Sequence, residues 1–355
     1  MATKLQVISP DLLVHPGETL EEIITERGIS QKELSVRTGV TEKHISTIIN
    51  GKRNISAEFA MKLQYALDIK ASFWKNLQSN YDLEVVLFNE VNNISDEEIM
   101  VAKEIKSSVE EIENQTIPSK NWSDCVWYLR RILGLSNLKS INNLNYGLYR
   151  SQFAKNTSLN KMYVWQYLCE KEVDSQTVNK LDKNKLKDSL IQIKEIMHQD
   201  SSLHIELIQK ILNDCGILYT VKKHVKNAPI KGLTVKTKKD QVMIAMTIRG
   251  KFVDIFWFTL FHEIAHVIYD DYLINQDDLL LNHSVENRAD KFAADTLIDP
   301  NMFADFINQN DFSEVAINQF ASKIRVLPTI IIGRLMHESN TWTQYSNLRL
   351  KYDWA

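Results

Sequence analysis

Two histidines and a glutamate lie within the apolar stretch that runs from Phe256 to Tyr269. The pattern is His262-Glu-Ile-Ala-His266, or HExxH. On a helix these histidines are one turn apart, so both imidazoles project from one face at the spacing that holds one zinc ion. Glu263 lies beside that face, where it can act as general base on a metal-bound water. The pattern predicts metal-dependent hydrolysis, with a peptide bond as the expected substrate.

A third metal ligand is expected on a second helix, in residues 284–294. Helical spacing of small and apolar residues predicts this helix, at Val285, Ala289, Phe292 and Ala293. Glu286 and Asp290 are four residues apart and share one face of it. Glu286 would complete a His2Glu site with a fourth position for water, and Asp290 would accept the second ring N–H of a ligand histidine. His283, one turn earlier, is the alternative third ligand.

Zinc is the expected cofactor, and manganese or another divalent ion suits the same donors, because affinity order does not decide occupancy in cells. A purely structural role explains the stretch poorly, since buried polar groups without partners are costly. A metal site that senses a ligand without turnover is the alternative to catalysis. Residue spacing does not specify the group that would stabilise the oxyanion. The candidates are Arg334, His337 and the nearby tyrosines Tyr269 and Tyr272.

Three separated segments, HEIAH, ENRADKFAADTLIDP and IIIGRLMHES, resemble in order the ImmA/IrrE family of zinc metallopeptidases. The resemblance covers roughly residues 200 to 355. It implies metal binding by the HExxH histidines and Glu286, catalysis by Glu263, a gluzincin-like arrangement, and repressors of the helix-turn-helix class as targets. The chain has Ala265 where the family often has glycine, and Asp290 where it often has asparagine. Neither change removes a ligand.

The N-terminal segment 29–53 has the spacing of a helix-turn-helix. Ser30 and Glu33 predict a capping box that opens one helix, and Gly39 predicts its end and a tight turn. Thr41 is expected to cap the next helix. The apolar positions of that helix are Ile45, Ile48 and Ile49.

Flanking helices are expected at about 19–27 and 57–67. Together these helices resemble a helix-turn-helix domain of the lambda-repressor (XRE) type, and most closely the HigA-type antitoxins. The resemblance implies double-stranded operator DNA as a partner. It also implies a homodimer, because domains of this type usually bind two half-sites.

The second helix of the motif is expected to place its first residues at base edges in the major groove, with neighbouring residues on phosphates. The predicted contacts are Gln31, Thr41, Glu42, Lys43, Ser46, Asn50, Lys52 and Arg53. Residues 16–56 hold six basic and six acidic residues, so affinity would require dimerisation and local basic residues. A helical bundle that binds only proteins is the alternative.

Length and composition fit a soluble protein of two or three domains, with 355 residues, 44% hydrophobic residues and a net charge of −3. The three cysteines are far apart and odd in number, which indicates a reducing cytoplasm rather than a disulfide framework. The first 20 residues lack an apolar core of signal-peptide length. The most apolar stretch, 255–269, is too short to span a membrane, so we expect no membrane partner and a cytoplasmic location.

The predicted fold class is α+β, mainly helical with a small β-sheet. We expect a lambda-repressor-like helix-turn-helix bundle at 1–94, a helical middle region at 95–200, and a zincin-like metallopeptidase domain at 201–355. Helices in the middle are predicted at 97–113, 122–133, 162–169 and 185–197. Strands are predicted at 216–221, 233–237 and 242–248, and one of them is expected to pair with an extended substrate.

The stretch from 221 to 239 holds seven lysines and no acidic residue. It has two interpretations. It could bind an anionic activator or nucleic acid, or its lysines could protect the edge of a sheet from pairing.

The predicted function is a DNA-binding transcriptional regulator of antitoxin type that carries a zinc-dependent endopeptidase. Its substrate would be a regulatory protein: a repressor, a toxin partner or the chain itself. Cleavage in the linker at 114–121 would then separate DNA binding from the rest. The alternative is a non-catalytic antitoxin or repressor whose metal domain senses a ligand or binds a toxin.

Overall fold

The computed structural model describes residues 13–117, 121–143, 158–273, 283–339 and 348–352. These residues are mainly helical and include one three-stranded sheet, which confirms the predicted α+β class. The chain divides into two compact units. The first comprises the described residues of Met1–Ile99 and Pro118–Trp127, and the second those of Met100–Ile117 and Tyr128–Ala355. The predicted boundaries at 94 and 200 remain predictions.

Five helices make up most of the first unit. They are α1 (Pro16–Glu26), α2 (Gln31–Thr38), α3 (Glu42–Ile49), α4 (Ala57–Leu67) and α5 (Ala71–Asn92). Their apolar faces meet in one core, in which Leu20, Leu34, Ile45, Leu63 and Trp74 are fully buried. Burial of these side chains is what holds such short helices together, since isolated helices of 8 to 11 residues are marginal in water.

The predicted caps of α2 and α3 are present, but only the Ser30 half of the capping box predicted for α2 forms, since the Glu33 side chain pairs with Arg37. Ser30 Oγ accepts a hydrogen bond from the Glu33 amide at 3.1 Å, and Gly39 ends α2 with a φ of 66°. Thr41 Oγ1 accepts from the His44 amide at 3.2 Å and so caps α3. The Glu33 carboxylate contacts Arg37 at 2.5 Å, one turn along α2.

A full capping box opens α1 instead. The His15 side chain accepts from the Gly17 amide at 3.0 Å, and the His15 amide donates to Glu18 at 3.3 Å.

Helix α5 was not predicted from the sequence. Its N-cap position, Lys70, makes no side-chain cap. The Ala71 amide donates instead to Gln64 Oε1 of α4, at 2.8 Å. The signal that starts this helix therefore comes from a neighbouring helix and not from the local sequence.

The second unit contains, as well as the sheet, a run of helices. They are α6 (Asp96–Glu113) and α7 (Trp122–Leu133), which both begin in the first unit, and α8 (Leu159–Val173), α9 (Lys183–Glu195), α10 (His204–Asp214), α11 (Val253–Ile268), α12 (His283–Leu297), α13 (Pro300–Asn308), α14 (Glu314–Ile324) and α15 (Pro328–Glu338). Short 3-10 turns occupy Leu138–Asn143, Ile196–His198, Ser201–Leu203 and Asp271–Leu273. The predicted helices of the middle region are present here, with α8 longer than expected.

The sheet has the strand order β1-β3-β2, with β1 (Ile217–Lys222), β2 (Gly232–Lys236) and β3 (Val242–Thr247). β3 is buried along its whole length, parallel to β1 and antiparallel to β2. Gln176 covers the outer edge of β1, because its side-chain amide bonds the Tyr219 carbonyl at 2.8 Å and the Tyr219 amide at 3.2 Å. β2 has a strand neighbour on one side only among the described residues.

Helix α11 lies at the centre of the second core. Trp257, Phe261 and Ile264 on it are fully buried, and they belong to one apolar cluster with residues of the sheet and of α12 to α15. The segment 348–352 fixes the start of α11. The Val253 amide donates to the Leu350 carbonyl at 3.1 Å, and Arg349 forms a bidentate ion pair with Asp254 at 3.1 and 2.6 Å.

No single helix within the described ranges is long and apolar enough to cross a membrane. Two consecutive helices, Glu314–Ile324 and Pro328–Glu338, are together long and apolar enough for a membrane span by length and composition alone, but they are bent at 113° to each other.

The first core yields a stability prediction for α4. Leu63→Ala should destabilise the first unit by about 2–5 kcal/mol, because the fully buried side chain leaves a cavity. Met61→Ala is the matched control, since Met61 is 42% exposed and should change stability by no more than about 0.5 kcal/mol. Amide hydrogen exchange within α4 measures this unit separately from the second. Equal protection in the two variants would contradict the assignment of this core.

Candidate metal centre and DNA-binding surface

Helices α11 and α12 bring three metal-ligating side chains to one point. One ligand atom each from His262, His266 and Glu286 lies within 4.8 Å of the others. The two histidine Nε2 atoms are 3.0 Å apart. The Glu286 oxygens lie 3.3 Å from His262 Nε2 and 3.7 Å from His266 Nε2. His283 occupies the first position of α12, is exposed, and is not part of this cluster.

The donor set and its spacing fit a small divalent cation. Ligand atoms at about 2.0–2.1 Å from a tetrahedral zinc are about 3.3 Å from one another. The observed separations of 3.0, 3.3 and 3.7 Å surround that value. Two imidazole nitrogens with one carboxylate are a donor set that zinc accepts, with one position left for water.

A second layer of carboxylates orients both imidazoles. His262 Nδ1 lies 2.8 Å from Asp290 Oδ1, where the sequence placed the acceptor, and His266 Nδ1 lies 2.9 Å from Asp271 Oδ2. Asp271 is 1% exposed and also accepts from Arg288 at 2.5 Å. Because each Nδ1 faces a carboxylate, each Nε2 is directed at the shared point.

Asp271 is the site residue that the sequence analysis missed. Its only sequence signal is a carboxylate in the turn that follows the HExxH helix.

The electrostatics of the cluster favour a positive charge at its centre. Burial opposes the charge on His262, but hydrogen bonds with Asp290 and Glu286 and the charge of Glu263 raise its pKa to about 10. The hydrogen bond from His262 lowers the pKa of Glu286, and it lowers that of Asp290 against the effect of burial. A cation bound by these residues would supply the same positive charge in place of that proton.

Glu263 is 6% exposed and held from one side by β2. Thr234 Oγ1 lies 2.7 Å from Glu263 Oε2 and 3.1 Å from the Glu263 carbonyl oxygen. At Gly232, a Cβ would lie only 2.3 Å from Glu263 Oε1. A side chain at position 232 would therefore occupy the space that the carboxylate fills.

The cluster of His262, His266 and Glu286 lines, together with Glu263, a cavity of about 890 Å³ within the second unit. Three of the four candidate oxyanion groups, Tyr272, Arg334 and His337, also line it. Tyr269 packs elsewhere, with Arg288 over its ring at 4.3 Å. Apolar walls come from Ile230, Leu233, Ile255, Phe258, Leu297, Ile298 and Ile330. The cavity has the size and the mixed lining of a ligand-binding site.

The predicted DNA contacts lie on α2, α3 and the turn that follows. Six of them are exposed (Thr41, Glu42, Lys43, Asn50, Lys52 and Arg53), and Gln31 and Ser46 are half-buried. Asn50 Nδ2 donates to the Ser46 carbonyl at 2.7 Å, so this side chain helps to end α3. Arg53 lies 3.3 Å from His44 Nδ1.

The turn after α3 is anchored from α5 by a residue that the sequence analysis also missed. Gln78 is fully buried, accepts from the Ile55 amide at 2.8 Å and donates to Asp82 at 2.9 Å. This anchor fixes the position of the basic residues that precede Ile55.

The lysine-rich stretch 221–239 contains several intramolecular ion pairs. Lys222 pairs with Glu172, Lys236 with Asp240 at 2.5 Å, and Lys239 with Asp174 at 2.7 Å. These contacts favour the interpretation of a solvated sheet edge over that of an anion-binding patch.

Two family models match separate parts of the chain. A helix-turn-helix model matches residues 20–74, and a model of the IrrE N-terminal-like domain, from peptidase family M78, matches residues 255–336. No curated protein matches the chain significantly.

Several solved structures are similar to part of this chain. One is the Pseudomonas aeruginosa antitoxin HigA with the higBA promoter, which is 35% identical over 24% of this chain and 92% of that one, with a TM-score of 0.22. Another is PA4674 from the same organism in complex with its operator DNA, 38% identical over 21% of this chain and 80% of that one, with a TM-score of 0.20. A HigA-family antidote protein from Coxiella burnetii is 26% identical over 30% of this chain and 96% of that one, with a TM-score of 0.19.

The fold and the two family matches define a fusion of a DNA-binding type of domain with a metallopeptidase-like domain. More particularly, residues 20–74 match a helix-turn-helix domain of the XRE type, and residues 255–336 match an IrrE-like domain. Its resemblance to HigA-type antitoxins and to the ImmA/IrrE family is confirmed.

The second carboxylate layer yields a prediction about metal affinity. Asp271→Asn should weaken zinc binding by about 10- to 100-fold, because the His266 ring loses a charged orienting partner. Competition with a chromophoric chelator measures the dissociation constant. His262→Ala and Glu286→Ala, which remove ligands, should abolish stoichiometric binding, and Asp299→Asn, at the N-cap of α13, is the control. Wild-type affinity in Asp271→Asn would show that His266 is not a ligand oriented by this contact.

Proposed function

We propose that this chain is an operator-binding regulator of antitoxin type that carries a zinc-dependent endopeptidase. The peptidase would hydrolyse a peptide bond in a regulatory protein, which could be a repressor, a toxin partner or the chain itself. The observation that carries this proposal is the arrangement of His262, His266 and Glu286 beside the buried carboxylate of Glu263, in one cavity.

The chemistry follows from what each side chain can do at that point. Zinc, when bound, lowers the pKa of its water towards about 7 and polarises the scissile carbonyl. Glu263 takes the proton of the attacking water and passes it to the leaving amine. Asp271 and Asp290 keep both imidazoles in the orientation that directs Nε2 to the shared point. Tyr272, Arg334 and His337 line the cavity and are the candidates that donate to the developing oxyanion.

The edge of β2 supports an extended peptide as the substrate. The Thr247 amide donates to the Lys231 carbonyl and the Thr237 amide to the Gln241 carbonyl, which sets the alternation of the ladder. In an antiparallel pair, residues 231, 233, 235 and 237 then face β3 with their main-chain groups, and residues 232, 234 and 236 face outward. A substrate strand added there would receive main-chain hydrogen bonds next to Glu263.

The helix-turn-helix supports operator DNA as the partner of the first unit. The printed descriptions of two similar structures name DNA: the higBA promoter for HigA and operator DNA for PA4674. By analogy we propose that α3 enters the major groove, that Lys52 and Arg53 meet phosphates, and that two chains bind two half-sites as a homodimer.

A Glu263→Gln variant tests the peptidase. The variant should bind zinc and DNA as the wild type does, but its cleavage rate should fall by at least about 100-fold, because an amide cannot accept the proton. Mass spectrometry of a mixed peptide library incubated with each zinc-loaded protein measures cleavage. The chain itself is examined in the same samples for cuts in 114–121.

The outcomes separate the two functions that the sequence left open. Cleavage by the wild type and not by Glu263→Gln supports the peptidase. One zinc per chain with no cleavage of any peptide, repressor or toxin, and with the chain intact, would favour the non-catalytic regulator.

A Lys52→Ala variant tests the DNA-binding surface. Loss of one phosphate contact should weaken binding evenly across sequences and reduce the slope of log affinity against log salt by about 1. Fluorescence anisotropy is measured on genomic fragments that the wild-type chain selects. Lys62→Ala is the control, because Lys62 lies on α4 and pairs with Glu58 at 2.9 Å. An unchanged salt slope in Lys52→Ala would remove this residue from the interface.

A further inference from the structure

The Thr234 side chain contacts Glu263 of α11, in addition to the pairing of Thr234 within the sheet. Its hydroxyl lies 2.7 Å from Glu263 Oε2 and 3.1 Å from the Glu263 carbonyl, so its single proton is shared between the carboxylate and the main chain of α11. Leu233 and Val235, its neighbours on β2, are buried on the other face of the strand. Thr234 is thus the side chain by which β2 contacts the proposed general base.

Gly232 holds the same carboxylate from a second side. A Cβ at this position would come within 2.3 Å of Oε1, 2.6 Å of Cγ and 2.7 Å of Cδ of Glu263. The carboxylate therefore packs against the main chain of β2, with Oε2 bonded to Thr234. Glu263 is 6% exposed and also lines the cavity, so the contacts with Gly232 and Thr234, rather than a lack of space, hold its carboxylate in place.

The register places both residues on the outward-facing set of the edge strand. Gly232 pairs with Met246 and Thr234 with Ile244, and neither position directs its main-chain groups to β3. Two of the three outward-facing residues of β2, Gly232 and Thr234, are thus also the residues of this strand that contact Glu263.

We propose that Thr234 is a positioning residue for Glu263, and that β2 aligns the general base and the substrate strand with the same two residues, Gly232 and Thr234. The hydroxyl orients one carboxylate oxygen and leaves the other for the proton that is transferred. This inference rests on the proposed peptidase function. Its test uses a readout that needs no turnover.

Acetohydroxamate provides that readout, since it binds a metal as an anion and gives its proton to a nearby base. Its affinity for the Co²⁺-loaded chain reports whether the Glu263 carboxylate is in place, and the visible absorption of Co²⁺ measures binding. Thr234→Val, which keeps the shape and removes the hydroxyl, should weaken binding by about 10- to 100-fold, the loss typical when an orienting partner at a metal site is removed, because the carboxylate is no longer held where it meets the ligand. Thr234→Ser should restore it.

Four further variants make the result specific. Thr237→Val, at the end of the same strand and away from the cavity lining, should bind as the wild type does. Glu263→Gln sets the size of the full loss, and adding Thr234→Val to it should cause no further loss. Gly232→Ala should weaken binding with the hydroxyl still present, and it replaces Thr234→Val if that variant does not fold. The Co²⁺ content of every variant is measured.

Two results would overturn the inference. One is wild-type hydroxamate affinity in Thr234→Val while Glu263→Gln loses affinity. The other is an equal affinity in Glu263→Gln and wild type, because Glu263 would then not reach the bound ligand. The expected hydroxamate pattern without any peptide cleavage would refute the proposed peptidase and leave the positioning role intact. With a cleavable peptide, Thr234→Val should lower kcat and leave KM unchanged, since the main chain of β2 is unaltered.

Discussion

Helix α11 carries ionisable side chains inside an apolar core. The structure of the second unit depends on the hydrogen-bond partners that these side chains find. Glu263 and His266 are 6% and 8% exposed on a helix whose other faces bury Trp257 and Phe261. Burying such groups without partners costs several kcal/mol each, so every element around α11 must supply a partner. β2 supplies Thr234 to Glu263, and the turn after α11 supplies Asp271 to His266.

The same requirement preorganises the candidate site. Ligand atoms on α11 and α12 approach within 4.8 Å because both imidazoles are already oriented by carboxylates and Glu286 completes the third side. Groups held in this way do not need to reorganise when a cation or a substrate binds. Such preorganisation lowers the free-energy cost of binding and catalysis. The geometry is built on helices and one strand rather than on long loops.

In the first unit, the structural requirement is to hold short helices and the turns between them in fixed positions. Four of its five helices have only 8 to 11 residues, and its motif is close to neutral in charge, so neither helix propensity nor long-range electrostatics would suffice alone. Side-chain caps at Ser30 and Thr41 and the buried anchor from Gln78 fix the turns, and the core of α1 to α5 holds the helices in place. A regulator that recognises DNA through a few local residues needs those residues to be rigidly placed.

The sequence by itself determined the helix-turn-helix, the HExxH helix, three strands and their approximate bounds, because caps, glycines and periodicity are local signals. It also placed Glu286 and Asp290 on one helical face, since four-residue spacing fixes that. Only the tertiary structure brought in Asp271, Thr234 and Gly232, because their roles depend on which elements meet at α11. The start of helix α5 was likewise decided by the tertiary structure, because it is capped by Gln64 from another helix. Contacts between segments distant in sequence leave no periodic trace, and they appear only when the chain has folded.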